Sequence, residues 1–148
     1  MTRAVATDAG GADGGLRALL LPVLGEWYAI ELASVREVLR RPAITPLPGA
    51  PPAVLGVLNV RGEVVPALDT AALVGLGGLD AVPYVAVLDT TAGPGALGAG
   101  AEPRTAILDR RAGAPEGPCA IGRYAVDELV VTLLDGDALA VAASGAPA

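Results

Sequence analysis

The chain contains no histidine and no phenylalanine, and its ten basic residues are all arginine, so lysine is absent too. Without histidine, the commonest general base and metal ligand is missing. A single cysteine, Cys119, excludes an internal disulfide and a thiolate metal cluster. It sits between Pro118 and an apolar run, and reads as a small buried strand residue rather than a nucleophile, which would lack an imidazole partner. The net charge of −6 argues against a general nucleic-acid surface, where basic patches neutralise phosphates. No apolar run approaches the ~18 residues of a membrane span, because proline, glycine or a charge interrupts each one. Residues 1–15 lack an apolar h-region, so no secretory signal is visible and the cytoplasm is the default location.

What is present suits one domain. The 148 residues are 53% hydrophobic, ample for a buried core. Residues 1–15 and 141–148, small and polar, are expected as disordered tails around a domain at 16–140. Leu16 to Leu24 is a strand candidate, with Pro22 placing it at an edge or a bulge. Trp27 to Leu32 alternates like a half-buried strand. Ser34-Val35-Arg36-Glu37 has the form of a capping box, which puts Val35, Val38 and Leu39 on one face of a short helix ended by Pro42. Asp69 or Thr70 can cap a second short helix. Tyr84–Leu88, Thr105–Leu108, Ala120–Val126 and Leu129–Leu134 read as strands. Segment 90–103, rich in glycine and alanine, is expected as a mobile loop. Many short strands with regularly placed turns indicate an all-β, barrel-like domain.

The most informative stretch runs from Val54 to Asp69. Apolar residues flank a central Asn59-Val60-Arg61-Gly62, and Gly62 supplies the positive φ that a tight hairpin needs. Arg61 is thereby fixed at the turn of a rigid scaffold, which suits recognition better than chemistry. No phosphate-binding glycine loop, nucleophile elbow or H-E-x-x-H appears. Asp127-Glu128 are neighbours, which point to opposite faces of a strand and cannot converge on one bond. No catalytic residue, metal site or cofactor is expected.

The same stretch resembles the hallmark of the CheW-like family, the adaptor module of bacterial chemotaxis: G-V-x-N-L-R-G-x-[VI]-[VI]-P-[VI]-x-D. Tyr28-Ala29-Ile30, Val35-Arg36-Glu37-Val38 and Ile44-Thr45-Pro46-Leu47-Pro48 match earlier family motifs in order and spacing. The resemblance implies two small SH3-like five-stranded barrels that share a hydrophobic core. Gly122 to Leu129 resembles a later family strand. The closing L-D-x-x-x-[LI] segment reads as degenerate around Leu134-Asp135, which leaves the second barrel's completeness open. The implied function is a non-enzymatic adaptor between the cytoplasmic tips of chemoreceptors and the regulatory domain of a CheA-type histidine kinase. Such a protein would be cytoplasmic and recruited to membrane receptor arrays, without membrane insertion or nucleic-acid binding.

Two alternatives stand beside this reading: a divergent paralogue serving another kinase pathway or pilus motility, and a small β-barrel ligand-binding domain or enzyme. The resemblance makes Arg61, Glu37, Asn59, Val35 and Val38 the candidate partner-binding residues, with Gly62 a structural turn residue. Asn59 is expected to hydrogen-bond backbone near the turn. Glu37 carries two roles that can coexist, a helix cap and a surface contact. One of Val35, Val38 and Leu39 is expected to line a groove between the barrels. Glu37 and Arg61 are expected within ion-pair reach.

Overall fold

The structure, a computed structural model, describes residues 15–145. It holds ten strands: β1 (Leu16–Val23), β2 (Glu26–Glu31), β3 (Val35–Arg40), β4 (Val54–Val60), β5 (Glu63–Leu68), β6 (Tyr84–Thr90), β7 (Gly93–Ala99), β8 (Arg104–Leu108), β9 (Ala120–Val126) and β10 (Leu129–Leu134). Two helices, α1 (Thr70–Leu73) and α2 (Gly136–Ala143), follow β5 and β10.

The strands form two five-stranded sheets, in the orders β9-β10-β2-β1-β8 and β3-β6-β7-β5-β4. Neighbours are antiparallel except for β10 with β2 and β5 with β7, which run parallel. Each sheet curls until the segment after one edge strand meets the opposite edge. Thr45 exchanges backbone bonds of 2.8 and 2.9 Å with Val57, and the stretch 110–112 pairs with β9 through Arg110 O and Ala112 N, at 2.8 and 2.9 Å. The sheet holding both ends of the described chain is here the terminal barrel. The other, β3 to β7, is the inserted barrel.

Alternation along the strands builds three cores. Ala18, Leu20, Ala29, Val131 and Leu133 fill the terminal barrel, and Leu58, Val65, Ala67, Val85 and Val87 fill the inserted one. Residues on the opposite faces, among them Leu19, Leu21, Ile30, Ala86, Leu88 and Leu97, pack between the barrels with Leu139 of α2. This explains why β1 and β6 are almost continuously apolar: both of their faces are buried.

Several expectations change. The segment 90–103 contains β7, which lies in the middle of its sheet with Gly95 to Ala99 buried. Its glycines permit close packing: a side chain at Gly98 would meet Leu79 and Val82 within 3.0 Å. No helix follows Ser34. The Ser34 hydroxyl donates to Glu31 O, closing a 3-10 turn, and Val35–Arg40 is the strand β3. Its β-branched residues find cross-strand partners on β6, which outweighs the capping pattern. β1 is an interior strand, yet Pro22 lies beyond the reach of β8, which pairs only with Leu16–Leu20. Proline there withholds no ladder bond, and its carbonyl accepts from Gly100.

The barrel whose completeness was open has all five strands, because β1 and β2 supply the pair that the C-terminal sequence lacks. The tail expected at 141–148 is helical as far as Ala143, which is buried, and the domain therefore extends past 140. Residues 146–148, and the N-terminal tail apart from Gly15, lie outside the described residues.

Candidate functional site

The β4–β5 hairpin turns through Arg61 at φ 53° and Gly62 at φ 87°, the two positive values of a type I′ turn. Asn59 holds this geometry, its Oδ1 accepting from the Gly62 N–H at 2.9 Å. Arg61 thus sits in a backbone conformation that non-glycine residues seldom adopt. Its side chain extends toward β3. There Nε meets Glu37 Oε2 at 3.1 Å and Nη2 meets Oε1 at 3.3 Å, a two-pronged ion pair.

A second contact runs beside it in the opposite sense. Arg36 donates from Nη1 to Glu63 Oε1 at 2.9 Å and from Nη2 to Asp89 on β6. Adjacent residues of β3, one basic and one acidic, therefore clamp an arginine and a glutamate on the hairpin. Both arginines are held more firmly protonated than usual, Arg61 by its hydrogen bond to Glu37, Arg36 by its bonds to Asp89 and then Glu63. The participation of Arg36, Glu63 and Asp89 was missed in the sequence. Its signal is the matched order Arg36-Glu37 against Arg61-x-Glu63.

The pair is asymmetric in exposure. The Glu37 side chain is 20% exposed and that of Arg61 80%. A sheltered carboxylate therefore orients a cation whose Nη1 has no bond among the described residues. Of the remaining candidates, Val38 is exposed on β3, whereas Val35 packs against the core between the barrels. Asn59 contributes through the turn, and Gly62 is structural as expected.

An apolar groove of about 330 Å³ lies elsewhere, between the inserted barrel and α2, lined by Leu47, Pro51, Val54, Pro66, Pro94 and Ala140 among others. None of Val35, Val38 or Leu39 lines it, because β3 stands at the far edge of the sheet. Asp127 and Glu128 form the β9–β10 turn and are not strand neighbours. Among the described residues, no group of three or more His, Cys, Asp or Glu could hold a metal ion. No helix there is long and apolar enough to cross a membrane.

Two barrels with a shared core and an oriented arginine at one corner define a double-barrel recognition module. The chain belongs to the CheW-like domain family, whose pattern matches residues 17–99, more than half its length. Over 64 residues it is 36% identical to the chemotaxis protein CheW of Rhizobium meliloti (strain 1021), covering 43% of this chain and 41% of that protein. Over 51 residues it is 39% identical to the protein PilI of Pseudomonas aeruginosa, covering 34% of this chain and 29% of the relative. The similarity thus spans less than half the length of these curated relatives. The scaffolding protein TtCheW from Thermoanaerobacter tengcongensis shares the fold, with a TM-score of 0.73 over 84% of this chain and 87% of that one, at 19% identity.

Proposed function

We propose that the chain is a non-enzymatic adaptor that couples chemoreceptor cytoplasmic tips to the regulatory domain of a CheA-type histidine kinase. The observation that carries this reading is the Glu37–Arg61 pair, a guanidinium aimed outward by a carboxylate beneath it on a rigid corner. Family membership supplies the class of partner. Arg61 makes the principal contact, Glu37 orients it, exposed Val38 adds apolar area, and Asn59 and Val35 keep the corner in shape. The protein works in the cytoplasm, recruited to receptor arrays at the membrane, and acts by holding receptor and kinase in one geometry. The similarity to PilI favours a second reading, the same adaptor chemistry serving pilus motility.

The test is a titration of the purified chain with a receptor tip and with a kinase regulatory domain, separately. Arg61→Ala should weaken at least one of these by about 30-fold, the scale of a hot-spot arginine. Its melting temperature should stay close to that of the wild type. Unchanged affinity for both partners would remove Arg61 from the binding surface.

A further inference from the structure

The two barrels carry the same corner with opposite charge. Their equivalence follows from the backbone: the Asp69 N–H donates to Ala53 O at 2.8 Å just ahead of β4, and the Asp135 N–H donates to Cys119 O at 2.9 Å just ahead of β9. Counting along the hairpins from these anchors sets Asp127 at the position of Arg61 and Val130 at that of Val64. The closing bonds extend the match to the edge strands. Thr45 N donates to Val57 O and Ala112 N to Arg123 O, and Glu37 precedes Thr45 by as many residues as Arg104 precedes Ala112.

Arg61 and Asp127 share a backbone conformation, at φ 53° and 54°. Each pairs with its edge strand: Arg61 with Glu37 at 3.1 Å, and Asp127 with Arg104 at 3.8 Å. The acid and the base have changed places. In each corner the turn residue is the outer member, Arg61 80% and Asp127 76% exposed. Each also bears a valine open to solvent, Val64 at 65% and Val130 at 48%. In the terminal barrel Arg104 is held over Trp27, 5.6 Å from the ring centroid.

We propose that the Asp127–Val130 corner is a docking surface for a second copy of this chain, which presents its Arg61–Val64 corner there. Like corners repel through their outer charges, whereas unlike corners attract and bring the two valines together. The contact is therefore head-to-tail, and it continues to further copies or closes into a ring. It buries a small, partly charged area, so it is weak, concentration-dependent and salt-sensitive. The proposal requires nothing but this chain and stands apart from the receptor and kinase reading. Because it uses the Arg61 corner, an adaptor partner bound there would compete with self-association.

Sedimentation velocity of the full chain over a wide concentration range at low salt tests this. The average mass should rise beyond that of a dimer with concentration and fall back at high salt. Arg61→Asp makes both corners acidic and Asp127→Arg makes both basic, so each variant alone should remain monomeric. Mixing the two should restore association, since native Arg61 and native Asp127 corners then meet across different molecules. Melting curves establish that each variant is folded; if either reversal unfolds the chain, Arg61→Gln and Asp127→Asn should each shift the association curve to higher concentration. A monomeric wild type, single variants that associate like the wild type, or a mixture that stays monomeric would each overturn the head-to-tail contact.

Discussion

Asp69 and Asp135 do the same work in the two halves of the molecule. Each ends a barrel hairpin, donates its backbone N–H to the residue preceding that hairpin, and caps the helix that follows. Asp69 Oδ1 accepts from Ala72 N at 3.1 Å, and Asp135 Oδ1 accepts from Asp137 N at 3.0 Å and Ala138 N at 3.3 Å. They differ in one respect. Asp69 is buried and also receives the Leu79 N–H at 3.2 Å, tying the loop after α1 to the barrel.

Replacing either aspartate by alanine should cost about 1–2 kcal/mol, as lost N-caps do. Asp69→Ala should fall at the upper end or beyond, because the part-buried Leu79 N–H loses its partner as well. Urea denaturation of the two variants gives the comparison. Equal losses would mean that the Leu79 bond contributes nothing.

Gly56 and Gly62 separate two uses of glycine. A Cβ at Gly56 would stand 2.2 Å from Thr45 O, at the bond that closes the inserted barrel. Gly62 has open space around it and needs only its positive φ. Gly62→Ala should therefore cost about 1 kcal/mol of backbone strain. Gly56→Ala should cost clearly more and expose the Thr45–Val57 amides to hydrogen exchange. Similar stabilities for the two variants would contradict the closure described above.

Glu37→Ala and Arg61→Ala should each leave the melting temperature nearly unchanged, since an exposed ion pair contributes little and no helix cap is lost at Glu37. Their effects on partner affinity should be non-additive if the carboxylate acts by orienting the guanidinium. A double-mutant cycle in a binding titration reads this directly. Strict additivity would show that the two residues contact the partner independently.

Burial, with a smaller contribution from the Asp135 charge, pushes the Cys119 thiol above its usual 9.0. The folded chain holds this proton more tightly than the unfolded chain, so stability falls as pH rises through 9.0 toward the raised value. At neutral pH the native thiol should react with an aromatic disulfide more slowly than the same thiol in urea. Equal rates at matched pH would show that Cys119 is not shielded.

The corner that carries the proposed function was legible because its determinants are local. A turn needs Gly62, an Asn two residues before Arg61 serves the turn, and the apolar flanks alternate. The Ser34–Glu37 pattern misled because a capping box is also local, while the pairing of Val35–Arg40 with β6 is not. Segment 90–103 misled for a different reason. Glycine usually signals freedom, but in β7 it makes room for Leu79, Val82 and Leu68 in a crowded interior. The repeat was the largest omission. Leu68-Asp69-Thr70-Ala71-Ala72-Leu73 and Leu134-Asp135-Gly136-Asp137-Ala138-Leu139 share one spacing, and the second is the closing segment that read as degenerate. In it Leu134 and Leu139 are both buried in the core between the barrels.

The parallel pairing of β10 with β2 has a consequence for synthesis. All strands of the inserted barrel have emerged once residue 99 has left the ribosome, with only neighbouring segments needed to close it. β1 and β2 have been made by then, but their partners β8, β9 and β10 come later. The two earliest strands must therefore wait with one apolar face uncovered. Late, long-range pairing of this kind is slow and leaves sticky edges exposed. A nascent chain halted after β7 would carry one folded barrel and a hairpin in need of a chaperone, while release of the last strand allows both barrels and the core between them to lock together.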